Sequence, residues 1–197
     1  MRRHSTRQFR QIIRAHICAE GLRDRFGLDH RPNLPDLFDR MGITHMDRKL
    51  DPGDYGLVVQ KDTRRFIVTA EGLRAKEKRW RQAQMLGWLL LHTGEGEGER
   101  HWVCERPRIG SLREIRDQLL ASDLHDTSLQ FAAELLMPEQ DLLRLFHPVT
   151  LRTPYIAETF CDQRLSNTAR RYGVSQHRMA MRLLDVGLLI LNEEVAA

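Results

Sequence analysis

The segment from Lys76 to His92 constrains the fold more than any other part of this chain. Trp80, Ala83, Leu86, Gly87, Leu90 and Leu91 mark one helical face, and Met85, Trp88 and Leu89 add apolar bulk around the rest of the cylinder. A helix that is apolar almost all round has to be covered on several sides. The rest of the chain is therefore expected to pack around this helix.

The neighbouring segments supply the covering. Tyr55 to Val59 and Arg65 to Thr69 are β-rich runs separated by the polar tract Gln60 to Arg64, which reads as a hairpin and a small antiparallel sheet. Thr6 to Phe26 reads as a basic amphipathic helix. Phe9, Ile12, Ile13, His16 and Ile17 lie on one face, expected to pack on the core, with Arg7, Arg10 and Arg14 mostly off it. Leu34 to Met41 reads as a short helix stopped by Gly42. The Gly/Glu tract Thr93 to Glu99 reads as a loop, and His101 to Cys104 as a brief extended piece. Helices are expected at Ser111–Ala121, with Ser111 and Glu114 forming a capping box, at Asp126–Met137 and at Glu139–Phe146 after Pro138. Three more follow, at Tyr155–Cys161, Ser166–Tyr172 and Ser175–Val186.

Composition narrows the class. The chain has 197 residues, 29% of them charged and only 7% aromatic, which favours a helix-rich globular protein. Its net charge of +4 permits a nucleic-acid or acidic partner without requiring one. Cys18, Cys104 and Cys161 are odd in number and widely spaced, so a reducing cytoplasm is expected rather than a disulfide framework. No apolar run approaches a membrane span, and the start Met1-Arg2-Arg3-His4 leads into no signal-peptide core. No dinucleotide, P-loop or Gly-x-Ser-x-Gly motif occurs.

Three passages in register carry a family resemblance. The first is Gly56-Leu57-Val58-Val59 through Phe66-Ile67-Val68, with Arg79-Trp80-Arg81-Gln82-Ala83 and Leu89-Leu90-Leu91-His92 behind it. The second is Phe131-Ala132-Ala133-Glu134-Leu135-Leu136-Met137-Pro138. The third is Ala169-Arg170-Arg171-Tyr172-Gly173-Val174-Ser175 and Arg182 to Leu188. From about Asn33 to Leu191 the chain resembles the ImmA/IrrE family of zinc metallopeptidases, which cleave or antagonise helix-turn-helix repressors on mobile elements or in stress responses. The resemblance implies an α+β, mostly helical fold. Its small antiparallel sheet would pack on a zincin-like central helix, and a helix-turn-helix-like subdomain would follow at the C-terminus. Residues 1–148 would form the metallopeptidase-like domain and 149–197 the C-terminal subdomain.

The family's central helix carries Ala-His-Glu-Leu-Gly-His. Two histidines four residues apart differ by about 40° around the helix, so both can reach one zinc, and the intervening glutamate acts on the zinc-bound water. The matching run here is Ala83-Gln84-Met85-Leu86-Gly87-Trp88. Gln84 and Trp88 replace the two ligands and Met85 the general base. The position of the family's third ligand, a glutamate four residues before the Phe, holds Thr127; Asp126 is one residue off, about 100° around a helix. An amide, a thioether and an indole give poor or no zinc ligation and no base near neutral pH. No cofactor or metal is therefore expected, and Met85 and Trp88 should fill the former site. His92, His101, Cys104 and Asp126 are the fallback metal candidates, but their spacing matches no zinc pattern and loose surface residues are the simpler reading.

Ala169-x3-Gly173-Val174-Ser175 is a helix-turn-helix signature, with Gly173 for the tight turn and Ser175 as N-cap. Gln176, His177 and Arg178 stand where a recognition helix meets base edges, and Arg170, Arg171 and Arg182 are candidates for phosphate contacts. The same pattern serves as a structural subdomain in the resembling peptidases. The favoured expectation is an inactive pseudopeptidase that binds a protein, a helix-turn-helix repressor foremost. The alternatives are a DNA-binding regulator and a metallopeptidase with an unorthodox metal site. Oligomeric state is open.

Overall fold

The hairpin is the simplest element to derive. Residues of β2 (Asp54–Lys61) and β3 (Arg64–Ala70) alternate in burial, with Gly56, Val58, Ile67 and Thr69 turned inward, as a sheet covered on one face requires. The computed structural model describes residues 6–92, 100–105, 127–146 and 163–189. The helices expected at Ser111–Ala121 and Tyr155–Cys161, the Gly/Glu tract, Asp126 and the expected domain boundary after residue 148 lie outside the described residues.

The hairpin turn is tighter than the sequence suggests. Lys61 pairs with Arg64, leaving only Asp62 and Thr63 to turn. Asp62 takes φ +52°, a left-handed geometry that Asp tolerates better than most residues. The sheet also gains two flanking strands. β1 (Thr44–Arg48) runs parallel to β3, and β4 (Arg100–Glu105) runs antiparallel to β2, giving the order β1-β3-β2-β4. The α+β, mostly helical class holds, but the sheet is mixed rather than antiparallel. The short helix α2 (Leu34–Arg40) precedes β1, and the chain passes from β1 to its parallel neighbour β3 through β2, so the parallel pair is joined by a crossover and not by a tight turn.

Helix α3 (Ala75–Leu91) lies between this sheet and α4 (Thr127–Leu136), with α1 (Thr6–Phe26) packed on α4 and α3. Two of its neighbours fix its position closely. A Cβ on Gly56 of β2 would stand 2.5 Å from Met85 Sδ, and a Cβ on Gly87 of α3 would stand 2.7 Å from Phe131 Cδ1 of α4. Met85 and Gly87 are two residues apart, about 200° around the helix. One face of α3 thus presses on the sheet and the opposite face on α4, which is why its apolar residues run around the cylinder.

The N-terminal helix corrects an expectation. Its buried residues are Ala15, Ala19 and Leu22, whereas Phe9, Ile13 and Ile17 are exposed, Phe9 at 58% and Ile17 at 63%. Small alanines let α1 approach α4 closely, and that contact turns the bulky residues outward.

Helix α5 (Glu139–Phe146) follows Pro138. Helices α6 (Gln163–Tyr172) and α7 (Gln176–Asp185) form the expected pair. Gly173 turns between them at φ +67°, a conformation that strains a residue with a Cβ, and Ser175 Oγ accepts the Arg178 backbone N–H at 3.1 Å. Ala169, Tyr172, Val174, Met179 and Leu183 join the same apolar core as α3 and α4. No described helix is long and apolar enough to cross a membrane.

Candidate functional site

Gln84 and Trp88 share the face of α3 that meets β4, and each finds a partner on that strand. Gln84, 5% exposed, accepts through Oε1 a hydrogen bond from Arg81 Nη1 at 2.9 Å and a weaker one from Cys104 Sγ at 3.6 Å. Arg81 is itself buried. Its Nε donates to Glu77 Oε1 at 2.7 Å, and its guanidinium lies 4.2 Å from the centroid of the Tyr55 ring. The amide is thus the inner end of a chain from Glu77 through Arg81 to Gln84 and Cys104, in which the buried arginine has an acid, an aromatic face and an amide for company.

One turn further along, Trp88 stacks on Trp102 of β4, with centroids 5.8 Å apart and planes 10° from parallel. His92 stacks on Trp88 at 5.5 Å and 20°. Because β4 side chains alternate, Trp102 and Cys104 face the helix together, and their two-residue step matches the one-turn step from Trp88 to Gln84. The middle position, Met85, is fully buried with its sulfur over Gly56. Thr127, at the first turn of α4, is partly buried.

These residues do not fit a zinc ion. Zinc takes imidazole, thiolate or carboxylate donors. The Gln84 oxygen already serves Arg81, Met85 is packed in the core, and Trp88 is part of an aromatic stack. Of the fallback candidates, His92 and Cys104 do not come together as a metal site. His92 is exposed at the end of α3 with Nδ1 3.1 Å from the Trp88 carbonyl, while Cys104 is buried against Gln84 and Arg81. His101 is described only through its backbone, paired with Val59, and Asp126 lies outside the described residues. Neither His92 nor Cys104 belongs to a three-donor group among the described residues.

The helix pair also departs from the sequence reading. Arg170, Arg171 and Gln176 are exposed, as a surface contact with nucleic acid would require. Arg182, expected at a phosphate, is instead 2% exposed. It is ion-paired to Glu134 of α4, donates through Nε to the Met137 carbonyl at 3.2 Å and through Nη1 to Asp185 at 2.7 Å. A guanidinium held by three acceptors in the interior cannot reach DNA. Arg178 lies with its guanidinium 4.4 Å from the Trp80 ring centroid, directed at α3. His177 is partly buried; burial, then the charge of Arg178, holds its imidazole below the ordinary value.

Sequence reasoning missed Trp102 and the Glu134–Arg182 pair. Both left a signal. Trp102 and Cys104 have the strand alternation that a helix face with period four can match. Glu134 and Arg182 are opposite charges set in otherwise apolar runs, a pattern that calls for a buried partner.

A sequence profile of the IrrE N-terminal-like domain matches residues 38–184. A comparison with curated proteins finds no match. The matched span runs from α2 through α7 and so takes in the sheet, the central helix and the helix pair. With its central helix packed between sheet and α4 inside the matched span, the chain belongs to the IrrE N-terminal-like family.

Proposed function

We propose that this protein is a catalytically inactive ImmA/IrrE-like pseudopeptidase that acts as a protein-binding regulator, with a helix-turn-helix repressor as its partner. One observation carries the reading: the three positions that would hold zinc and general base on α3 are taken by the Gln84–Arg81–Cys104 network, by Met85 over Gly56 and by the Trp88–Trp102 stack. The Gln84 amide, the Met85 thioether and the Trp88 indole neither hold a metal-activated water nor take a proton near neutral pH. The surrounding scaffold is intact, so its surface remains available for a protein segment. Among the described residues β4 is an outer strand of the sheet, an edge on which an extended peptide can add by backbone hydrogen bonds.

The test is co-expression of the full chain with helix-turn-helix repressors of its own genome. The reading expects a stable complex on size exclusion with the repressor at its full mass, and release of the repressor from its operator. Repressors that all elute separately and bind operator unchanged would defeat the proposal.

A second reading, DNA binding by the helix pair, draws on the exposure of Arg170, Arg171 and Gln176. It is the weaker one because Arg178 and Arg182 are turned to the protein. Operator binding by the chain alone that falls steeply with salt and is lost in Arg170→Ala/Arg171→Ala would favour it.

A further inference from the structure

A second constellation of metal-binding side chains lies away from the α3 positions, where α1, α4 and α5 meet. A ring nitrogen of His16 and one carboxylate oxygen each of Glu134 and Glu139 lie within 4.8 Å of one another. His16 Nδ1 is 3.5 Å from Glu134 Oε2, and the backbone N–H of Glu139 donates to Glu134 Oε1 at 3.2 Å, which fixes the start of α5 against the acid. The other ring nitrogen, His16 Nε2, is buried and has no hydrogen-bond partner. A cavity of about 300 Å³ adjoins the cluster, lined by His16, Gln130, Glu139 and Asp185 among others.

The charges and the space are unbalanced in a consistent direction. Glu134, Glu139 and Asp185 bring three carboxylates to the junction and Glu20 adds its charge nearby, against Arg182, paired to two of them, and Arg23, whose charge also reaches Glu134. His16 offers either ring nitrogen to the junction: Nδ1 faces Glu134 Oε2, and Nε2 is buried without a hydrogen-bond partner. The cavity is large enough for water molecules, which a cation with only three protein ligands requires.

We propose that His16, Glu134 and Glu139 bind a divalent transition-metal ion of the zinc class, with cavity water completing its coordination. One nitrogen and two carboxylate oxygens form a donor set that zinc accepts, and donors about 3.5 Å apart suit its bond lengths. Drawing in from 4.8 Å asks for a movement of about 1 Å, which the partly exposed Glu139 side chain can make. Arg182 Nη2 donates to Glu134 Oε2, the oxygen that faces His16 Nδ1, and so serves as a hydrogen-bonded outer partner of a ligating acid. The ion ties α1 to the α4–α5 corner. The site is built from none of the residues at the lost peptidase positions.

The experiment uses the full chain, stripped with chelator, dialysed and titrated with Zn²⁺ by calorimetry. Co²⁺ serves as a parallel spectroscopic probe. The expected result is one ion per chain, at least tenfold weaker binding in both His16→Ala and Glu139→Gln, and unchanged binding in His92→Ala. Zinc should raise the unfolding temperature of the parent chain and leave that of the two variants unmoved. Glu139→Gln preserves size and helix start, so it remains informative if His16→Ala loosens α1. No zinc uptake by folded protein, or equal affinity in parent and both variants, overturns the site. Binding lost in His92→Ala but kept in the other two would place the metal at α3 and overturn the proposed pseudopeptidase as well.

Discussion

The β4-facing side of α3 and the junction of α4 with α7 are both buried, yet they are built on opposite principles. At α3, Met85 and the Trp88–Trp102 stack make the packing, and the buried Arg81 is satisfied locally by Glu77 and Gln84. At the junction a full ion pair, Glu134–Arg182, sits in the interior with both side chains 1% exposed, linking residues 48 apart in sequence. Burial pushes the Glu134 carboxyl up, and Arg182 and His16 pull against that shift. A buried ion pair is a weak source of stability and a strong source of specificity, since either member alone is costly. The contrast suggests a division of labour. At α3 the buried cation is held by groups of its own helix, whereas at the junction the ion pair joins two helices distant in sequence and sets one register for their docking.

The largest effect should come from breaking the junction pair. Arg182→Met leaves Glu134 buried without its counter-charge and should cost about 3–5 kcal/mol in urea unfolding at pH 7. Adding Glu134→Leu should recover much of that loss, because two apolar side chains replace the whole pair. A small cost for Arg182→Met alone would mean the two helices dock by apolar packing and would erase the contrast.

The α3 side should respond to volume instead of charge. Gly56→Ala sets a methyl against Met85 Sδ and against the Val68 carbonyl oxygen, 2.8 Å away, and Gly87→Ala drives one into Phe131. Each should cost about 1–3 kcal/mol by overpacking, read as a lowered urea midpoint. Indifference to both would mean that α3 is not clamped between sheet and α4.

The smallest effect concerns pH at the helix pair. Burial disfavours protonated His177, so its folded value lies below the ordinary one near 6.5. The neutral form's stabilising contribution is complete above about pH 6.5 and is lost as pH falls through the lowered folded value. His177→Gln should flatten the decline in stability measured between neutral and acid pH; an unchanged slope would show that His177 is freely solvated.

Much of this was legible in the residues. The all-round apolarity of Lys76 to His92 pointed to a helix clamped on opposite faces, and the hairpin, the Gly173 turn and the Ser175 cap followed from local chemistry. The positions matched to the family's metal ligands came from the family resemblance and not from spacing. What spacing does not encode is the choice of side. Phe9, Ile13 and Ile17 were expected inward, but Ala15 and Ala19 won the contact because small residues permit a closer helix approach. Arg182 was read as a surface charge because nothing near it in sequence announces Glu134. The His16–Glu134–Glu139 cluster draws on three helices and exists only once they pack.

The most direct measurement of the central claim is the intact mass of a helix-turn-helix repressor captured by the chain from its own genome's set, after incubation with the purified chain and excess zinc, alongside a chelator control. The account predicts one unchanged mass in both samples, with the repressor bound to the chain. Repressor fragments that appear with zinc and disappear with chelator would contradict it.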